Sequence, residues 1–174
     1  LDGFTILQIT DLHLYPLTQP ALIKKSVEMA NELKPDLVVI TGDYVWQDLE
    51  AIFELAPILS GLDAKYGVFS TLGNHDYWLN AGVITAAMES AGLPVLINQG
   101  LSIEQGKGRL YLAGLDEVYK SFKHIQPSHR DNGRVPVHSF LWNIYGGIDA
   151  AMDYPDIVGI DRRIFLQDKI LIVF

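Results

Sequence analysis

The amino-acid sequence predicts an α/β fold with a largely parallel sheet, on three observations. Short apolar, β-branched runs recur between Phe4 and Leu72, and each runs straight into a polar loop. Between the runs lie segments whose apolar residues repeat at helical spacing. The polar loops are also evenly placed, with Asp11, Asp43 and Asn74 separated by 32 and then 31 residues. Alternation of strand and helix implies right-handed crossovers, which gather the carboxyl ends of the strands on one edge. Ligands of such sheets bind at that edge.

The first run, Phe4 to Thr10, reads as a buried strand that ends at Asp11-Leu12-His13. Pro20 to Leu33 follows as an amphipathic helix, with Pro in its first turn and Ile23, Val27 and Ala30 on one face. Lys34-Pro35-Asp36 breaks it, and Leu37 to Thr41 is a second apolar strand ending at Gly42-Asp43. Leu49 to Leu59 is helical in pattern and Gly61 to Lys65 is a turn. Gly67 to Leu72 is the third strand, ending at Gly73-Asn74-His75-Asp76. A third helix is expected from Gly82 to Ala91, a short strand over Val95 to Ile97, and a hairpin from Ile103 to Leu112 turning at Gln105-Gly106-Lys107-Gly108. Beyond Glu117 neither period persists, although Ile170 to Phe174 has the composition of a strand.

Composition bounds the rest. The 174 residues are 49% hydrophobic and 20% charged, enough apolar material for one sizeable core, so a single domain is expected over 1–174, with clear periodicity over 1–117 and an atypical or truncated stretch over 118–174. A formal charge of −8 argues against a protein that holds nucleic acid by neutralising its backbone. With no cysteine, any metal must be held by oxygen and imidazole nitrogen. No apolar run approaches the roughly 20 residues of a membrane span. The expected location is the cytoplasm or a membrane periphery; because the chain begins at Leu1 rather than Met, a processed export signal stays open. Oligomeric state is not legible.

The strand-end residues carry a chemistry. Two divalent cations can activate a water and neutralise both the attacking and departing oxygens of a phosphoryl displacement, and they need anionic oxygen ligands, one of them bridging. In an extended Asp-x-His segment alternate side chains point the same way, so Asp11 and His13 reach one metal while Leu12 returns to the core. Asp43 is placed to bridge. Asn74 offers a neutral oxygen, Gly42 and Gly73 permit close backbone approach, and His75 faces substrate, where an imidazole can donate a proton to the leaving oxygen. Asp76 is read as an acceptor that fixes the tautomer of His75, or as a turn former. Tyr77 and Trp78 line a cleft or pack beneath the loop. His124, His129 and His138 are by default ordinary surface or core histidines.

The blocks Asp11-Leu12-His13, Gly42-Asp43 and Gly73-Asn74-His75-Asp76, in this order and at strand ends, resemble the calcineurin-like metallophosphoesterase superfamily, which carries D-x-H, G-D and G-N-H-D/E. The wording around them, from ILQITDLH to LYLAGLDE, is most similar to small bacterial phosphodiesterase-type members, and the resemblance covers about residues 4–117. It implies a sandwich of β-sheets flanked by helices, metals at Asp11, His13, Asp43 and Asn74, catalysis by His75 and Asp76, two divalent ions (manganese, iron, zinc or magnesium) and a small phosphate-ester substrate. The family also carries a further His after a fourth strand and then G-H-x-H. Here Asp153 stands at the His position of an H-x-P-D-like stretch, as a carboxylate ligand, and no G-H-x-H follows Arg163 to Gln167. The expectation is a carboxyl-terminal half that is incomplete or diverged. The leading function is a metal-dependent phosphomonoesterase or phosphodiesterase; the alternatives are a metal-poor scaffold of the same fold, or another α/β hydrolase with carboxylate-held magnesium.

Overall fold

The computed structural model describes residues 3–106, 108–115, 135–136 and 168–173. The three predicted strands form one parallel sheet in the order β1 (Ile6–Ile9), β2 (Leu37–Thr41), β3 (Val68–Thr71). The helices between them are α1 (Pro20–Glu32) and α2 (Ile52–Leu59), the latter entered through a 3-10 turn over Leu49–Ala51. After β3 come α3 (Asn74–Leu79) and α4 (Ala81–Ser90). A second sheet of four strands has the order β6-β4-β5-β7, with β4 (Gln99–Gln105) and β5 (Gly108–Gly114) as an antiparallel hairpin, β6 (Val135–Pro136) beside β4 and β7 (Asp168–Val173) parallel to β5.

β2 shows how the sequence produces two layers. All five residues of its LVVIT run are buried, and alternate side chains of a strand point to opposite faces. Val38 and Ile40 join the larger core with Ile23, Val27, Ile52, Leu55, Leu59, Ile84 and Met88 from the helices. Leu37 and Val39 join a smaller core with Leu96, Ile103, Leu110 and Leu112, which lies against the second sheet. The predicted sandwich of sheets with flanking helices is therefore what the described residues form. Among them no helix is long and apolar enough to cross a membrane.

Three expectations change. The first strand is not buried: Ile6 and Gln8 are exposed and Leu7 and Ile9 only half-buried, because β1 is the edge of the described parallel sheet and pairs with β2 alone. Val95 to Ile97 does not form a strand; Val95 makes a single bridge to Ser70. The Gly73–Asp76 block is not a loop but the opening of a short helix, α3, with Gly73 as its N-cap. The hairpin is found, and is longer than expected; Gln105 pairs with Gly108, and Gly106, at φ +60°, takes the left-handed conformation that a tight turn requires.

Candidate metal centre

The three ligand-bearing loops leave adjacent parallel strands at the same end. Asp11 lies two residues past β1, Asp43 two past β2, and Asn74 three past β3. The first two loops are laced together by their backbones, with Asp11 N–H donating to the Gly42 carbonyl (3.3 Å), His13 N–H to Asp43 (2.9 Å) and Leu14 N–H to Tyr44 (2.9 Å).

Asp11 and His13 do approach each other while Leu12 is buried, but not through an extended pleat. Asp11 and His13 have φ of 55° and 43°, and Asp43 has 55°. These are left-handed conformations, costly for residues other than glycine and typical of sites whose surroundings hold them. Alternation of backbone conformation, rather than strand pleat, turns both side chains outward.

His13 is the centre of the cluster. Its Nε2 lies 3.6 Å from Asp11 Oδ1 and 3.7 Å from Asp43 Oδ2. Both separations exceed a hydrogen bond, and His13 Nδ1 is buried without a partner. His13 Nε2 thus faces carboxylate oxygens from two different loops. His13, Asp43 and His75 each place a ligand atom within 4.8 Å of the others, a mixed oxygen and imidazole set that suits a divalent transition metal. The residues present thus fit a metal ion. Asp11 is largely exposed, with Oδ2 accepting from Thr10 Oγ1 at 2.7 Å and Oδ1 left facing His13.

Asp43 is nearly buried and its two oxygens are divided. Oδ1 accepts the backbone N–H of His75 at 3.0 Å, and Oδ2 faces His13. Both predicted glycines are explained here. A Cβ on Gly42, which has φ +82°, would strike the backbone of Gly73, and a Cβ on Gly73 would strike the Asp43 carboxylate. The GD and GN pairs therefore press two loops together so closely that only hydrogen fits between them.

Of the two places expected of it, Asp76 takes that of a turn former. It is fully buried and accepts three backbone N–H groups: Gly73 (2.8 Å) and Asp43 (2.9 Å) on Oδ2, and Tyr44 (3.1 Å) on Oδ1. As the third residue of α3 it reaches back to its own N-cap, as in a capping box, and also across to the β2 loop. These three bonds are to backbone and join the β2 and β3 loops, so Asp76 braces the loops. Burial pushes its carboxyl up to about 6; the Asp43 carboxylate adds to the push, against the three N–H donors that pull it down. Tyr44, buried beneath it, donates to the Thr71 carbonyl at 2.8 Å, and burial holds its phenol far above the usual range, with the Asp76 charge adding.

The His75 ring stands 4.9 Å from that of His13, stacks on Trp46 at 4.3 Å, and meets Trp78 at 4.5 Å. Trp46 also meets His13 edge-on at 5.0 Å. Trp46 was not singled out from sequence; its one signal is that it lies three residues past Asp43, beyond the buried Tyr44 and Val45. Asn74 is half-buried at the first position of α3. Asp153, His124, His129 and His138 lie outside the described residues, as does the stretch from Arg163 to Gln167.

Comparison with known proteins identifies the family. Residues 4–172 match the model of the calcineurin-like phosphoesterase family. The chain is 42% identical over 78 residues to UDP-2,3-diacylglucosamine pyrophosphatase of Chlamydia muridarum, covering 44% of this chain and 24% of that protein. It is 34% identical over 125 residues to the uncharacterized metallophosphoesterase YkuE of Bacillus subtilis (67% and 42%), and 32% identical over 120 residues to phosphodiesterase YaeI of Escherichia coli (67% and 44%). The chain thus spans between a quarter and a half of the length of these relatives. In fold it is similar to the NAD nucleotidase of Haemophilus influenzae, with a TM-score of 0.52 at 16% identity over 82% of this chain and 36% of that one. The strand-end motifs, the sandwich and the family match converge on one statement: this chain belongs to the calcineurin-like phosphoesterase family.

Proposed function

We propose that the protein is a metal-dependent phosphoesterase that hydrolyses a small phosphomonoester or phosphodiester. The observation that carries this reading is the cluster in which His13, Asp43 and His75 each bring one nitrogen or carboxylate oxygen within 4.8 Å of the others, at the shared carboxyl edge of parallel strands. Two relatives, one named a phosphodiesterase and the other a pyrophosphatase, support the same reaction class.

In this reading Asp11, His13, Asp43 and Asn74 would hold two divalent ions, and Asp153 would supply a further carboxylate. When bound, the ions lower the pKa of a coordinated water and offset charge on the phosphoryl oxygens; manganese, iron, zinc and magnesium all suit such ligands. The chain's own residues do the rest. Asp43 is fixed by its bond from the His75 N–H, so its orientation is set before any ligand arrives. His75 donates a proton to the departing ester oxygen as the bond from phosphorus to that oxygen breaks and the bond to water oxygen forms. Trp46, stacked on the imidazole, limits its rotation. Asp76 keeps the Gly42–Tyr44 and Gly73–His75 segments in register.

Hydrolysis of bis(p-nitrophenyl) phosphate with added manganese tests the reading. Turnover lost on chelation, and reduced about 100-fold or more in His75→Ala, is the expected result. Unchanged turnover in Asp43→Asn, or none in the metal-loaded wild type on any phosphate ester, would count against it.

A further inference from the structure

Trp78 is the feature that the metal site does not account for. It is 69% exposed, among the most exposed large apolar residues described, and yet its ring lies 4.5 Å from His75. A tryptophan is seldom left this open, since burying its ring removes a large apolar surface from water. It is not stranded on a remote surface: it belongs to a continuous ring cluster of His13, Trp46, His75 and Trp78. The two indoles differ in role. Trp46 is half-buried and lies nearly parallel to the imidazole, with an interplanar angle of 29°, so its contact is already made. Trp78 is tilted at 57° to the imidazole and keeps most of its surface toward solvent.

We infer that Trp78 is a specificity-determining residue: its free indole face stacks on a planar aromatic ring of the substrate, while the phosphoryl group attached to that ring lies at the His13, Asp43 and His75 cluster. This rests on the phosphoesterase reading and adds to it the class of organic group, a phosphate ester bearing an aryl ring or a nucleobase. Two features favour a flat ring over a polar group. The surroundings of the phosphate are acidic, through Asp11 and Asp43, and the chain carries a net charge of −8, so a second anionic or strongly hydrated group gains little there. An open indole offers every flat ring a π-face, and such stacking is worth about 1–3 kcal/mol per base in single-stranded nucleic-acid complexes. Trp46 then acts as a positioning residue for His75 and does not itself meet the ring.

The test is binding, so that it survives a failure of turnover. Phenylphosphonate, cyclohexylphosphonate and methylphosphonate are titrated into the manganese-loaded protein by calorimetry, with wild type, Trp78→Ala and Trp78→Phe. The expected result is that phenylphosphonate binds about 10-fold more tightly than the other two to wild type, that Trp78→Ala removes this preference without weakening methylphosphonate, and that Trp78→Phe restores most of it. Equal binding of phenyl and cyclohexyl probes would overturn the stacking claim, because a non-planar ring of the same bulk cannot stack. A phenyl preference that persists in Trp78→Ala, or the binding of no probe, would overturn it too. A protein that binds phenylphosphonate through Trp78 yet turns over no ester would refute the hydrolase reading and leave the ring subsite standing.

Discussion

Replacing Asp76 by Ala removes one side chain and strands three backbone donors. Gly73, Asp43 and Tyr44 each give an N–H to this carboxylate, and the side chain is wholly inaccessible to water. A buried donor left unpaired costs about 1–3 kcal/mol. Three such donors on adjoining loops do not add fully, so the expected loss for Asp76→Ala is about 4–6 kcal/mol. Asp76→Asn separates geometry from charge. An amide oxygen in the Oδ2 position still accepts from Gly73 and Asp43, and only the Tyr44 N–H then faces an NH2 group, so the loss should be nearer 2 kcal/mol.

The same residue gives a pH signature. Its folded pKa of about 6 lies above the ordinary 3.8, so the folded chain holds this proton more tightly than the unfolded chain. The contribution to stability is fully present below about pH 4 and is lost as pH rises through about 6, a decline of about 3 kcal/mol. Urea unfolding of chelator-treated protein between pH 4 and pH 7.5 measures both effects. Asp76→Asn should lack the decline, since it has nothing to titrate. Equal damage from Asn and Ala would show that charge, not backbone bracing, is what matters; Ala within about 1 kcal/mol of wild type would remove the bracing role altogether.

Two other perturbations probe the site directly. Gly73→Ala drives a methyl group against the Asp43 carboxylate and lies 2.7 Å from the Asp43 amide nitrogen, so it should cost about 1–3 kcal/mol by overpacking and weaken metal binding at least about 10-fold; Gly92→Ala, which meets nothing within 4 Å despite φ +81°, should cost only about 1 kcal/mol and leave metal binding alone. Manganese at about 100 times its dissociation constant should stabilise wild type by about 2.7 kcal/mol, and chelation should abolish the gain; His13→Ala should show no such gain, which thermal melts with and without metal can check.

The architecture was legible wherever a segment had to satisfy two periodicities at once. Leu37 to Thr41 reads as an apolar strand because no charged residue interrupts it, and α1 reads as a helix because Ile23, Val27 and Ala30 recur on one face. Legibility failed where tertiary context, not pattern, decides. Phe4 to Thr10 has the composition of a buried strand, but composition cannot say which strand stands at a sheet edge, and Ile6 is left 42% exposed. The Asn74–Leu79 helix was missed because its six residues are too few for a period to register and its first residues carry the site motif. The residues of the proposed site were named from type and order, whereas their surroundings required geometry. Asp76 looks like any carboxylate beside a histidine in the sequence; only the paths of the β2 and β3 loops show that three amides point at it. Trp46 carries no spacing signal, since what makes it part of the site is a stack on a residue 29 positions away.

The left-handed residues lead to one more prediction, on the relation between stability and function. Asp11, His13 and Asp43 all sit at φ values that glycine adopts freely and other residues adopt at a cost. For Asp43 and His13 that cost is entangled with burial and with the cluster they form. Asp11 is separable: its side chain is 62% exposed and the hydrogen bond it accepts comes from its neighbour Thr10. If the conformation is held for ligation and not for packing, Asp11→Gly should relieve strain while losing little in the folded state. Glycine also gains freedom in the unfolded chain, which offsets part of the relief, so metal-free Asp11→Gly should lie between wild-type stability and about 1 kcal/mol above it. With metal the order should reverse, because the variant has lost a carboxylate facing His13 Nε2 at 3.6 Å. Urea melts of both proteins, with chelator and then with manganese, read the crossover. A metal-free Asp11→Gly less stable than wild type by more than about 1 kcal/mol would mean that Asp11 supports the fold itself. A crossover would show that the Asp11 loop is held in a costly shape by its bonds to the Gly42–Tyr44 segment, and that the cation is what makes the shape worth keeping.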